Sequence, residues 1–342
     1  MHVDASRPEH DRLHEQPVVA SAGGRMTVTA PSSVGHLADR GAGSVLATVA
    51  TTSDAALATW ASGPTGPQLL VRLTELLVEG SRGRAVDADV LVTFALHRRG
   101  QVVDRVRLLL EAGSPGGGAA PYDGARALRA DVRSVVVRCT PLTFARLVTG
   151  QCSAPLELLA DRLGVEGDAA TVLDAGRVLR CPANGTALVD PAGLEPRAVA
   201  SALRGVSTAH LRSVMRGPFR DVVLGEVARR LPEHVRPEAA RLRLTAVLRV
   251  TGPSRDDAPE VTDRFVVTMT DGRVKVTRLT GPDAPPASRR DVTLTCTGED
   301  FLRLATGHLH PVTAVLRGRL AVRGDRTAAL QLSTALDIPR PS

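Results

Sequence analysis

Apolar residues recur along this chain in two rhythms. Every second position is apolar in 88–96 (Val90, Val92, Phe94, Leu96), in 104–110 (Val106, Leu108, Leu110), in 242–250 (Leu242, Leu244, Ala246, Leu248, Val250) and in 264–270 (Phe265, Val267, Met269), so these segments predict strands. Asp271-Gly272 then predicts a tight hairpin into a strand over 273–279. A 3.6-residue rhythm takes over elsewhere. After Pro67 it places Leu69, Leu70, Leu73, Leu76 and Leu77 on one helical face, and over 218–231 it does the same for Phe219, Val223, Val227 and Leu231. Shorter helices are expected over 195–204 and 207–216, and a weak one near 44–60. The glycine-rich stretch from Gly113 to Pro121 reads as a loop, because no Lys-Ser/Thr follows it to make a phosphate cradle.

The pattern repeats. Written from Val135 and from Val292, two stretches of 39 residues align without a gap at a constant offset of 157. Val135, Cys139, Thr140, Phe144, Arg146, Leu147, Thr149, Gly150, Arg162, Leu163, Val165, Gly167, Asp168 and Leu173 all recur 157 residues later. Unrelated segments of this composition would match at roughly two to four positions, so the chain contains a duplicated unit. Each copy predicts a strand (135–139, 292–296), a helix (141–149, 299–306) stopped by Gly150 or Gly307, and a second helix (155–161, 311–317). A strand (162–166, 319–323), Gly-Asp and a last helix (169–174, 326–336) follow. Thr297 suits an N-cap, with Glu299 and Asp300 in the first turn. Upstream, Asp104-Arg105 with Gly113 match Asp263-Arg264 with Gly272 at an offset of 159. Strands followed by strand-helix-helix-strand-helix predict an α+β fold with helices on one face of a mostly antiparallel sheet. Asn184-Gly185 and Asp190-Pro191-Ala192-Gly193 are turn sequences marking a linker.

Composition narrows the chemistry. A chain of 342 residues fits two domains, and with aromatics at only 2% their cores must be built from Leu, Val and Ala. The four cysteines show no ligand-like spacing, so neither a disulfide framework nor a zinc site is expected, and the reducing cytoplasm is the expected location. The N-terminus lacks the order of a signal peptide and no run of 18 apolar residues occurs; residues 1–30 read as a disordered tail in which Met26, as well as Met1, is a candidate start. The net charge of +7 is unevenly shared: residues 1–194 hold 19 basic and 20 acidic side chains, and residues 195–342 hold 24 and 16. No basic run is interleaved with stacking aromatics, so nucleic acid is not an expected partner, while the basic second half suits transient contact with an anionic membrane surface.

The motifs for chemistry are sparse. Gly-x-Ser-x-Gly, His-Glu-x-x-His and P-loop patterns are absent, His308 and His310 lack a third ligand nearby, and Cys139 and Cys296 read as buried thiols at strand ends. No metal, cofactor or catalytic residue is expected.

From Asp291 to Asp325 the sequence resembles the sterol carrier protein 2 family of lipid-binding domains. The resemblance is carried by the Asp291-Val-Thr-Leu strand, Asp300-Phe301-Leu302 with Leu304 and Thr306-Gly307, Gly318-Arg319-Leu320 and Gly324-Asp325. It extends upstream through Val223-Leu224-Gly225-Glu226 and Arg229 to His234, and downstream to Leu332 and Ile338-Pro339, so that most of 207–340 is similar to bacterial members. By the internal repeat, residues 67–181 resemble a more diverged copy, in which Asp161 stands where Gly318 is. The resemblance implies two domains, 67–181 and 194–338, joined by a linker over 182–193 and preceded by a weakly helical extension over 31–66. Each would be a five-stranded sheet covered by helices around an apolar cavity. It further implies non-catalytic carriage of a fatty acyl chain, an acyl-CoA or a sterol-like lipid, mainly in the second domain, with the first partly structural. Helical spacing nominates Phe301, Leu304, Val312, Val315, Leu316, Leu332 and Leu336 as walls of that cavity. Burying sixteen carbons there is worth roughly 12 kcal/mol before association costs. Two alternatives are an enzyme or enzyme accessory that isomerises or cyclises an apolar intermediate, and a structural tandem without ligand. The oligomeric state is not legible in the sequence.

Overall fold

The computed structural model describes residues 41–113, 119–125, 127–252, 261–279 and 290–339. The predicted tail 1–30, residues 31–40 of the extension and residues 114–118 of the glycine-rich loop lie outside the described residues. Helices α1 (Ala42–Thr51), α2 (Asp54–Ser62) and α3 (Gly66–Gly80) precede a sheet of β1 (Val90–Arg98), β2 (Gln101–Leu110), β3 (Ala119–Pro121), β4 (Arg133–Cys139) and β5 (Gly164–Glu166). Helices α4 (Pro141–Val148) and α5 (Ala154–Leu159) lie between β4 and β5, and α6 (Ala169–Val178) follows. The second module runs α7 (Pro196–Ala202), α8 (Thr208–Val214), α9 (Phe219–Arg230), β6 (Leu244–Gly252), β7 (Val261–Thr270), β8 (Arg273–Leu279), β9 (Val292–Thr297), α10 (Gly298–Ala305), α11 (Pro311–Leu316), β10 (Leu320–Gly324) and α12 (Arg326–Ala335).

The two sheets have one topology. Their orders are β3-β2-β1-β4-β5 and β8-β7-β6-β9-β10, and in each only the central pair, β1 with β4 or β6 with β9, is parallel. The fold is therefore α+β with mostly antiparallel sheets. The registers reproduce the sequence offsets: Leu96 faces Asp104 and Cys139 in the first sheet, and Val250 faces Asp263 and Cys296 in the second. Asp271 and Gly272, both with positive φ, make the expected two-residue hairpin, and Arg99-Gly100 makes another between β1 and β2.

Duplication reaches further upstream than the predicted extension allowed. The weak helix near 44–60 is two helices, broken at Thr52-Ser53, that pack into the first core through Val45, Val49, Leu57 and Trp60. Shifted by 154, α1, α2 and α3 fall on α7, α8 and α9. Ser53 and Ser207 are matching N-caps, accepting from Ala56 N and His210 N, and Gly63-Pro64 recurs as Gly217-Pro218. One correction concerns 119–121. These residues, placed in a loop by their glycine-rich surroundings, pair with β2 as a short edge strand, a position where Pro121 is tolerated because it needs to donate to no further strand.

Four of the repeated identities have a local structural cause. Asp168 and Asp325 cap α6 and α12, and Thr140 and Thr297 cap α4 and α10. Gly167 and Gly324 have φ of +93° and +100°, and a Cβ on Gly324 would stand 2.4 Å from the Asp291 carbonyl oxygen. Arg146 donates to the Thr52 and Val49 carbonyls and to Asp54, tying α4 to the α1–α2 turn; Arg303 does the corresponding work on the Val206 carbonyl and Thr208.

Candidate functional site

A cavity of about 550 Å³ lies inside the second module, within the size range of small-molecule sites. One wall is the inner face of the sheet, where strand alternation turns Ala246 and Leu248, Phe265 and Val267, Val276, Leu294, Leu320 and Val322 the same way. The opposite wall is helical. It includes Val223 and Val227 of α9, Phe301 and Leu304 of α10, Val312, Val315 and Leu316 of α11, and Leu332 of α12, with Leu336 just beyond it. All seven residues nominated from the sequence thus border one space. Helical spacing pointed to that side and gave no hint of the sheet residues opposite.

The side chains at this place differ from those at the same places in the first module, some smaller and two, Phe265 for Val106 and Leu294 for Val137, larger. Ala246 and Leu248 occupy the positions of Val92 and Phe94, Val227 that of Leu73, and Ala305 that of Val148. In the first module Phe94 and Phe144 meet edge to face at 5.1 Å and fill the interior, and Leu73, Phe144 and Val148 are all fully buried. Interiors pack to crystal-like density, so an unfilled volume of this size needs either an occupant or rigid walls.

The covering helices also differ. Val315 and Leu316 of α11 are 44% and 82% exposed, and Leu330 of α12 is 55% exposed; their counterparts Leu158, Leu159 and Leu173 are 6%, 1% and 5% exposed. The Leu159–Leu316 pair is itself an identity of the repeat. In the first module α5 is covered by the one-turn helix Pro191–Gly193 and by α7 and α8. A Cβ on Gly193 would meet Ser153 Oγ at 2.2 Å, which measures how closely that segment lies on α5. Nothing described covers α11 in this way, and an apolar edge at Val312, Val315, Leu316 and Leu330 forms the mouth of the cavity.

Polar groups border the cavity at a few places only. Glu226 is buried, and both its oxygens accept from Arg229 while Arg230 donates to it as well. The hydrogen bonds from Arg229 hold its carboxyl below the usual carboxylate range against the opposing effect of burial. Arg230 also donates to the Ala192 carbonyl at 2.8 Å. His234, Arg326 and Asp337 complete the charged or titratable border, with Asp337 ion-paired to Arg236 at 3.7 Å. Glu226 is fully engaged by guanidinium groups and is not poised as a base.

The remaining candidates for chemistry are accounted for structurally. His310 caps α11 through Nδ1 on Val312 N, and His308 Nδ1 meets Thr306 Oγ1 at 3.1 Å. Among the described residues no three of His, Cys, Asp and Glu gather closely enough to hold a metal ion. The Cys139 and Cys296 thiols are pushed up to about 12, mainly by burial, and are inert as nucleophiles. No helix among the described residues is long and apolar enough to cross a membrane.

Four cavity residues come from upstream of α9. Leu159 comes from α5 of the first module, Leu194 from the first residue of the second, and Pro196 and Val199 from α7. Only the Leu159–Leu316 identity could have drawn attention to the first of these.

Solved structures similar to the chain include the sterol carrier protein-2 like-3 of Aedes aegypti, 20% identical over 34% of this chain and 93% of that chain at a TM-score of 0.26. The palmitated SCP2L2 of Aedes aegypti is 18% identical over 35% and 95% at 0.26, and the apo form of sterol carrier protein 2 from Yarrowia lipolytica is 19% identical over 35% and 94% at 0.24. No curated protein matches the chain. The family model described as the SCP-2 sterol transfer family matches residues 225–337, from the middle of α9 through α12 and thus around the cavity. Over residues 225–337 the second module is similar to the SCP-2 sterol transfer family.

Proposed function

We propose that the second module binds and carries a hydrophobic ligand, an acyl chain, acyl-CoA or sterol-like lipid, without transforming it. The observation that carries this reading is the apolar cavity itself, open at a mouth of exposed leucine and valine and unfilled where the first module is packed solid. Apolar surface of this extent is stabilised by an apolar occupant at about 0.8 kcal/mol per buried methylene, and no specific hydrogen bond is required. Glu226, His234, Arg326 and Asp337 are read as partners for a polar head group rather than as acid and base. The shared topology supports reading the first module as a diverged copy of the same fold whose interior has closed.

The mouth suggests how the ligand is exchanged. Val312, Val315, Leu316 and Leu330 stand exposed among Arg317, Arg323 and Arg326, and this combination suits transient contact with an anionic lipid surface.

Displacement of a fluorescent fatty acid, with native mass spectrometry of the gently purified protein, tests the carrier reading. A ligand held at micromolar affinity or better is expected, and none by either method would overturn it. The double substitution Ala246→Val with Leu248→Phe installs the first module's side chains in the second cavity. It is expected to weaken fatty-acid binding at least about tenfold, since a volume worth two methylenes is lost, while the folded protein remains as stable as the parent. Unchanged affinity in that variant would place the ligand elsewhere.

A further inference from the structure

The cavity is walled in part by the other module. Leu159 is 1% exposed, sits on α5 of the first module and borders the second module's cavity beside Leu194 and Val199. Its position is held by several independent contacts. The His210 ring of α8 lies between Asp161 Oδ1 at 3.0 Å and the Leu158 carbonyl oxygen at 2.7 Å, pinning the end of α5 to the second module. Asp161 itself has a φ of +59°, a left-handed conformation that aspartate tolerates and that ends α5 at this place. Gly193 against Ser153 fixes the start of the same helix. A buried leucine on a seat this constrained cannot swing aside for a longer ligand.

We infer that Leu159 is a size-determining residue of the second module's cavity, so that the first module sets the length of apolar ligand the second accepts. This rests on reading the cavity as a ligand site. The opposite boundary, at Leu316 and Leu330, is exposed, so how far an apolar chain reaches inward is limited by the buried walls. The duplication explains how this arose: the face of α5 that corresponds to the open mouth on α11 is closed in the first module by the linker and α7. Pro196 and Val199 of α7, with Leu194 and Leu159, in turn border the neighbouring cavity.

The test uses the full chain and a series of saturated fatty acids of increasing length in the fluorescent displacement assay. Leu159→Ala is expected to improve binding of acids about two carbons longer than the wild-type optimum by about tenfold relative to that optimum. Leu159→Phe is expected to shift the optimum the other way. Val199→Ala, a milder change on the same wall, should lengthen the optimum in the same sense and serves if Leu159→Ala does not fold. Leu173→Ala, which empties an equally buried site of the first core that does not border the cavity, should leave the length profile unchanged. If the Leu159 and Val199 variants bind as tightly as wild type with the wild-type profile, the inference fails and the carrier reading stands. If the wild-type protein binds no fatty acid of any length, both fail.

Discussion

Arg146 and Arg303 show what a repeated residue is for. Each reaches from the first helix after the central parallel strand to carbonyl oxygens at the turn between the two leading helices of its module. Arg146 does this more completely, with Nη2 at 2.6 Å from the Thr52 carbonyl and Nε at 3.0 Å from Asp54, whereas Arg303 reaches Val206 at 3.2 Å and leaves its Nε buried without a partner. Hydrogen bonds to charged groups contribute about 1.5 to 3 kcal/mol each, less where the acceptor is exposed, and Asp54 is exposed. Arg146→Ala is therefore expected to lower unfolding free energy by about 2 to 3 kcal/mol, and Arg303→Ala by less, about 1 to 2 kcal/mol. Denaturant midpoints of the two variants check the order, and a larger loss from Arg303→Ala would contradict the account. Neither role was visible in the sequence, where the two arginines were only a matched pair. The acceptors lie about ninety residues upstream in helices whose alanine- and threonine-rich sequence carries little periodicity.

Among the elements, those with strong periodicity and side-chain caps were legible from the chain alone. The block from β4 through α6 and its partner from β9 through α12 were marked by Thr140 and Thr297 at one end and by Gly-Asp further on, and each signal has a direct structural cause. Elements lacking such signals were not legible. β3 is only Ala119-Ala120-Pro121, and its pairing is decided by the neighbouring β2 rather than by its own sequence. The exposure of α11 could not be read either, because Leu158-Leu159 and Val315-Leu316 are equally apolar and differ only in what covers them. That exposure yields a prediction for α11 and α12. Leu316→Asp combined with Leu330→Asp replaces side chains that are 82% and 55% exposed, so the fold should be kept. The pair removes apolar contact and adds negative charge beside Arg317 and Arg326, and co-sedimentation with vesicles rich in phosphatidylserine should fall at least about tenfold. Equal sedimentation of parent and variant would rule out the mouth as the docking face.

At the level of the whole molecule, two modules of one topology have different interiors. One hydrophobic cluster runs from Val45 in α1 through the first sheet and across α7 to α9 as far as Leu302 in α10, so the closed module and part of the open one share a core. Separate, smaller clusters gather around Leu244, Val292 and Leu332, and around Cys296, Leu309 and Leu320, and the cavity borders members of both. Val223, Leu224, Phe265 and Leu302 border the cavity and belong to the shared core, whereas Ala246, Val267, Leu320 and Leu332 belong to the smaller clusters. Occupancy should then stabilise the molecule unevenly. At a ligand concentration a hundredfold above Kd, mass action contributes about 2.7 kcal/mol, and it reaches first those segments whose opening exposes the cavity. Hydrogen exchange with and without a saturating fatty acid is expected to show slowed amides in β6, α9, α10 and α12, and also in α5 around Leu159, which borders the cavity from the other module. β2 and β3, which touch no part of it, should exchange at the same rate in both states. Protection confined to β6 through α12 would mean that the first module stands apart from the ligand, and uniform protection of both sheets would mean that the two modules open as one cooperative unit in which α5 has no distinct part.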